Sequence, residues 1–287
     1  MNRIAVAALI LLGTFVPAGA AEFTLPPATP QPESLTVAPD GSVLMGSGNA
    51  PLVWRVRPGA TTPETFIDDS AGAPGSFFSG VLSDPASNTL WACQSVNVTG
   101  GRHAGVSAFD LTTGKNKLRW FMPGDLNFCN DIALGPDKAL YITDTRNAKL
   151  YRLAPGAAAA ELYLENSQFN GIDGVTFLDG ILYVTNVTFG KIYRVPVDAV
   201  GKPGAPVDIW VDAPFAGPDG LRAENGHMYV TESRPGRVDE LVIKGDTAHV
   251  VVLKDGLKQP SAVQPAGDVI WFNQRALGSA MSIPAPK

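Results

Sequence analysis

Short apolar runs, each entered through a small or polar residue, recur six times along the chain. They begin at Glu33-Ser34-Leu35, Ser79-Gly80-Val81, Asn130-Asp131-Ile132, Asn170-Gly171-Ile172, Asp219-Gly220-Leu221 and Ser261-Ala262-Val263, with successive starts 46, 51, 40, 49 and 42 residues apart. A turn follows in each clear copy, such as Pro39-Asp40-Gly41, Leu178-Asp179-Gly180 or Glu224-Asn225-Gly226. After it comes a second run rich in β-branched and aromatic residues, as in Ala139-Leu140-Tyr141-Ile142-Thr143 and His227-Met228-Tyr229-Val230-Thr231, which suits a pleated, buried surface.

A third run recurs at 52–56, 149–153, 191–195 and 237–241, and a fourth at 161–164, 207–211 and 249–253. Four short strands per unit at a period of this length predict a β-propeller. The expected architecture is therefore all-β, six four-stranded blades, forming a single domain over residues 21–287. Residues 22–25 precede the first unit and have no blade of their own, so they are expected to complete the sixth blade and close the ring. No stretch shows sustained helical periodicity.

Composition supports this picture. The 30 glycines and 24 prolines are spread through turns, and charged residues make up only 17% of the chain, against disorder. Residues 1–20 place Arg3 ahead of an apolar stretch and end in Ala18-Gly19-Ala20, the pattern of a cleaved signal peptide. Export to a periplasm or the medium is expected, with no membrane association once the leader is removed. Losing Arg3 leaves 21 basic against 27 acidic residues without a basic cluster, which argues against a nucleic-acid partner. Cys93 and Cys129 are the only cysteines; an exported compartment permits a disulfide between them, and two buried free thiols are the alternative.

Blade geometry sorts the polar residues. Strands one and two are joined by a hairpin at one face, so the entry to strand one and the exit from strand two share the opposite face. Glu33, Asn130, Asn170 and Asp219 are thereby expected at the channel mouth, with Asn49, His103, Asp144, Arg146, Asn186, Glu232, Arg234 and Arg275 on the loops after strand two. Asn-Gly and Asp-Gly are common turn signals, but each unit already has its hairpin turn further on. Two carboxylates and two amide oxygens on one axis suit a hard divalent cation, most readily Ca²⁺, with Mg²⁺, Mn²⁺ or Zn²⁺ as alternatives. His103 falls in the longest exit loop, where it reads either as a lid residue or as an ordinary exposed histidine. No Gly-x-Ser-x-Gly elbow, His-Glu-x-x-His pair, phosphate loop or dinucleotide fingerprint is present.

The ordered set Pro32-Glu33-Ser34, Cys129-Asn130-Asp131, Phe169-Asn170-Gly171-Ile172 and Pro218-Asp219-Gly220-Leu221 resembles the gluconolactonase, senescence-marker-protein and luciferin-regenerating-enzyme family. More distantly it is similar to strictosidine-synthase-like and paraoxonase propellers. The resemblance implies a metal-dependent hydrolase of lactones, with Glu33, Asn130, Asn170 and Asp219 around the ion and Asp219 and Asn130 as the catalytic pair. His103, Phe128, Asp144, Arg146, Asn186 and Glu232 would then surround a small-molecule substrate. Sugar-lactonase relatives tend to carry Arg two residues before the third-unit Asn, where this chain has Phe128, so a less polar substrate is expected. A non-catalytic binding or scaffold propeller with a structural ion is the alternative. Oligomeric state is not legible.

Overall fold

The computed structural model describes residues 21–26, 31–71, 75–98, 101–124, 126–198 and 201–286. The expected leader, residues 1–20, lies outside the described residues. The strands form six sheets, antiparallel but for one added edge strand, arranged as a six-bladed β-propeller. Blade one is built from Pro32–Val37, Val43–Ser47, Leu52–Val56 and Glu64–Asp68, and blade two from Phe77–Asp84, Thr89–Val98, Gly101–Asp110 and Asn116–Phe121. Blade three uses Cys129–Leu134, Leu140–Asp144, Lys149–Leu153 and Glu161–Glu165; blade four uses Ile172–Leu178, Ile181–Asn186, Lys191–Val195 and Val207–Asp208. Pro218–Glu224, His227–Glu232, Arg237–Lys244 and Thr247–Lys254 make blade five, and Val263–Ala266, Val269–Gln274 and Ser279–Pro284 the inner part of blade six.

Glu22–Thr24 pairs antiparallel with Ser279–Pro284, in the register Glu22 to Met281 and Thr24 to Ser279, and so completes blade six as its outer strand. Phe23 and Leu25 are then buried beside Leu35, Val43 and Met45 of blade one. The last blade is thus closed by hydrogen bonds and by apolar packing together.

The core lies in the seams between blades. Alternate side chains of each strand leave its two faces, so an inner strand packed between neighbouring sheets must be apolar on both. Val43–Ser47 and Leu140–Asp144 are accordingly buried at every position. Six clusters of buried residues follow, one at each seam, exemplified by Phe78, Val81 and Phe109 with Leu44 and Val53 between blades one and two. Across the next seam Cys93 and Cys129 form a disulfide with a Cα separation of 5.2 Å, joining strand two of blade two to the first residue of blade three.

One strand departs from the reading of the sequence. Residues 207–211 were expected as one fourth strand; instead Val207–Asp208 stays with blade four while Trp210–Val211 runs parallel to Thr247–Lys254 on the edge of blade five. Ile209 between them is buried at the seam and donates its amide to Ile192 O, while Trp210 N turns to Asp246 O. The strand divides because its central apolar residue packs inward while the following backbone pairs with the next blade.

The disulfide closes a sequence separation of 36 residues, for which loop-closure entropy gives a stabilisation of about 4 kcal/mol. The double variant Cys93→Ala/Cys129→Ala is expected to lose stability on that order in equilibrium urea unfolding. An unchanged midpoint would show that the seam is held by packing alone.

Candidate functional site

Five of the six first strands begin with a register shift: between Pro32 and Ser34, Phe78 and Val81, Cys129 and Ile132, Ile172 and Val175, and Pro218 and Leu221. A bulge of this kind leaves one residue unpaired and re-aims its side chain. The equivalent residues are Glu33, Ser79, Asn130, Asp173 and Asp219, and Ser261 holds the same place before the first strand of blade six. Glu33, Asn130, Asp173, Asp219 and Ser261 line one axial cavity, with room for about one water-sized particle.

Asn170 does not belong to this ring. It is exposed, it caps the short 3-10 turn Ser167–Phe169, and its carbonyl accepts from Asn186 Nδ2. Asp173 stands in its place. The signal was present in the sequence, because Ile172-Asp173-Gly174-Val175 matches Pro218-Asp219-Gly220-Leu221 residue for residue in type. It also gives spacings of 43 and 46 in place of 40 and 49. An Asn-Gly turn three residues earlier imitates the same pattern.

In blades four and five the inner strands approach the next blade too closely to admit a side chain at the following position. A Cβ on Gly174 would lie 2.5 Å from Asp219 O, and one on Gly220 2.5 Å from Ser261 O. Neither glycine has positive φ, so close approach rather than turn geometry is what each supplies. Hydroxyls then tie the blades through the ring residues' own carbonyls. Thr143 Oγ1 donates to Asp173 O at 2.8 Å, Thr185 Oγ1 to Asp219 O at 2.7 Å and Ser261 Oγ to Glu33 O at 2.7 Å. Asn130 Nδ2 donates to Thr145 Oγ1 at 2.9 Å.

Burial, followed by the charges of Glu33 and Asp131, pushes the Asp173 carboxyl well above the usual carboxylate range. Burial, followed by Asp173 and Glu33, does the same to Asp219. Glu33 is raised by burial too, but the Arg275 guanidinium opposes the rise. Arg275 Nε is 2.8 Å from Glu33 Oε2, yet neither atom has a partner in hydrogen-bonding geometry; the contact is one of charge. Further along the channel Arg222 of blade five pairs with Asp131 of blade three through Nη1 at 2.6 Å and Nη2 at 2.8 Å. Val175 N donates to the same carboxylate from blade four.

The donors at the cavity are oxygens, several of them ionisable, and Glu33 Oε2 is buried without a hydrogen-bond donor. That chemistry suits a hard divalent cation. Among the described residues, no group of three or more His, Cys, Asp or Glu side chains is gathered closely enough to hold an ion.

The exit loops are occupied differently from the sequence expectation. Asp144, Asn186 and Glu232 are fully buried and do not line the cavity. Each staples its exit loop to the entry of strand one in the same blade: Asp144 Oδ1 accepts from Phe128 N at 3.0 Å, Asn186 Nδ2 donates to Gln168 O and Asn170 O, and Glu232 Oε2 accepts from Ala216 N at 2.5 Å. Their polar character satisfies backbone groups where two loops meet. Arg146 is exposed on its loop. Residues 94–98 and 101–105 do not form a loop around His103 but continue the hairpin, with pairing carried on from Ser95 and Ala104 to Val98 and Gly101. His103 sits on that ribbon with its ring 6.4 Å from Phe121. The Phe128 ring lies 6.0 Å from that of Phe77, and neither residue lines the axial cavity itself.

No family model matches the chain, and no curated protein matches it in sequence. Solved structures match its fold. A protein provisionally assigned as a gluconolactonase aligns with a TM-score of 0.71 at 18% identity over 93% of each chain. Regucalcin from Agrobacterium tumefaciens, a calcium-binding protein, aligns at 0.67 and 19% identity over 89% of this chain and 90% of its own. Virginiamycin B lyase from Staphylococcus aureus aligns at 0.63 and 15% identity over 93% and 99%. At these identities the likeness is one of fold.

Two outcomes follow from the buried charges. Breaking one partner of a buried ion pair costs about 3–5 kcal/mol, whereas replacing both with apolar groups is often neutral, so Asp131→Ala is expected to unfold far more readily than Asp131→Leu/Arg222→Met in urea titrations. Raised carboxyl pKa values mean that the folded state binds more protons than the unfolded state, so stability falls as pH rises through that window. Thermal melts of chelated protein should therefore show lower stability at about pH 8 than at about pH 5. Asp219→Asn should reduce that difference, and an unchanged pH dependence would contradict the assignment.

Proposed function

We propose that the chain is an exported, metal-dependent hydrolase of lactones acting at the mouth of the axial cavity. The observation that carries this reading is that Glu33, Asn130, Asp173 and Asp219 line one cavity with room for about one water-sized particle. Glu33, Asp173 and Asp219 would hold a divalent cation through carboxylate oxygens, and Asn130 through its amide oxygen. Ca²⁺ suits hard, flexible oxygen donors best. A cation bound there supplies Lewis-acid polarisation of a carbonyl.

The chain's own groups account for the rest. Asp219 accepts a proton from the attacking water, and the ring-opened alkoxide takes one back, leaving a hydroxy acid. Asn130, fixed through Thr145, orients the reacting group. Phe77 and Phe128 provide an apolar wall against which a ring or acyl substituent can lie. The three solved structures support the fold on which such a site is built, and regucalcin's calcium binding is consistent with the choice of ion.

A lactone panel followed by pH-stat tests the proposal. Turnover should disappear on chelation and return with Ca²⁺ or Mn²⁺, and Asp219→Ala should lower kcat by about 10²-fold or more. Activity indifferent to both treatments would overturn the mechanism. Ion binding that raises the melting temperature without hydrolysing any lactone would instead identify a scaffold propeller with a structural ion.

A further inference from the structure

The charge around the axis is balanced in an unexpected way. With Asn170 in the ring in place of Asp173, the channel would hold three carboxylates, Glu33, Asp131 and Asp219, against the guanidiniums of Arg222 and Arg275. The structure instead brings four carboxylates to the channel, Glu33, Asp131, Asp173 and Asp219, and sets two guanidiniums against them. When a bound cation holds all four carboxyls ionised, two negative charges remain, the number that matches one divalent cation.

The two arginines are held in different ways. Arg222 is buried, engages both oxygens of Asp131, and also donates to Leu221 O at 2.8 Å and Val175 O at 3.3 Å. That places it as a fixed strut between blades three and five. Arg275 lies on the short 3-10 turn Arg275–Leu277 at the mouth of blade six. It meets Glu33 through Nε at 2.8 Å and keeps a third of its side chain exposed. Of the two, only Arg275 touches a carboxylate of the axial ring, and its charge acts in a buried setting where screening is weak.

We propose that Arg275 is a specificity-determining residue for the cation: by offsetting the extra charge of Asp173 it sets the cavity to accept a divalent ion in preference to a trivalent one. The inference rests on the reading of the cavity as a cation site. Removing Arg275 leaves three uncompensated negative charges, which favours a trivalent ion; removing Asp173 as well restores two. The pairing of Asp173 with Arg275 is therefore functional even though the two belong to different blades and need not touch.

Isothermal titration of the intact, chelated protein with CaCl₂ and with TbCl₃ tests this without any activity measurement. Arg275→Gln should raise the ratio of Tb³⁺ to Ca²⁺ affinity by about tenfold or more, the scale expected for one unit charge acting through partly screened protein. Arg275→Lys, which keeps the charge, should stay near the wild-type ratio, and Asp173→Asn/Arg275→Gln should return to it. A ratio unchanged in a folded Arg275→Gln protein, or one that Arg275→Lys shifts equally, would overturn the proposal. Wild-type protein that binds neither ion would overturn the cation-site reading itself, and this inference with it.

Discussion

Close approach of the six innermost strands governs the molecule. Around the axis the backbones of adjacent blades come so near that a Cβ at Gly174 or Gly220 would collide with the next strand's carbonyl. The chain answers with glycine at these places, and a bulge at the start of the first strand in five blades turns one side chain of each toward the axis. Packing and site geometry thus have a common origin. Hydroxyls of Thr143, Thr185 and Ser261 bind the carbonyls of the ring residues, so the backbones that present the site also hold blade to blade.

Convergence imposes an electrostatic problem. Carboxylates gathered in a buried channel repel one another and are poorly solvated, which is why Asp173 and Asp219 are pushed so far toward their protonated forms. The fold relieves part of this with Arg222, enclosed by Asp131 and two carbonyls, and part with Arg275 at the mouth. What is left over is a buried channel whose Asp173 and Asp219 carboxyls resist ionisation. Away from the axis Asp144, Asn186 and Glu232 use their oxygens and amides to fasten loops.

Much of this was legible in the chain. The period, the hairpin turns, the placing of Glu33, Asn130 and Asp219 at strand entries, and the closing role of residues 22–25 all follow from local pattern, because strand alternation and turn chemistry act over a few residues. The cavity-lining residue of blade four is Asp173 and not Asn170, a distinction local pattern cannot make because Asn170-Gly171 and Asp173-Gly174 present the same signal three residues apart. Only the pairing of Ile172 with Asn186 fixes which one falls at the bulge. Asp144, Asn186 and Glu232 looked like pocket residues because a polar residue at an exit loop has the same appearance whether it faces a ligand or a neighbouring loop's backbone.

By itself, then, the sequence determined the repeat, the blade count and the chemistry available at each strand entry, since these depend on spacing and residue type within a single blade. The tertiary structure alone decided what crosses between blades: the join of Cys93 to Cys129, the passage of Trp210 to the edge of blade five, the meeting of Asp131 with Arg222 and of Glu33 with Arg275. Those partners stand 36, 91 and 242 residues apart for the disulfide and the two ion pairs, respectively. No local pattern links such residues; closure of the ring does, by bringing strands distant in the chain onto one axis.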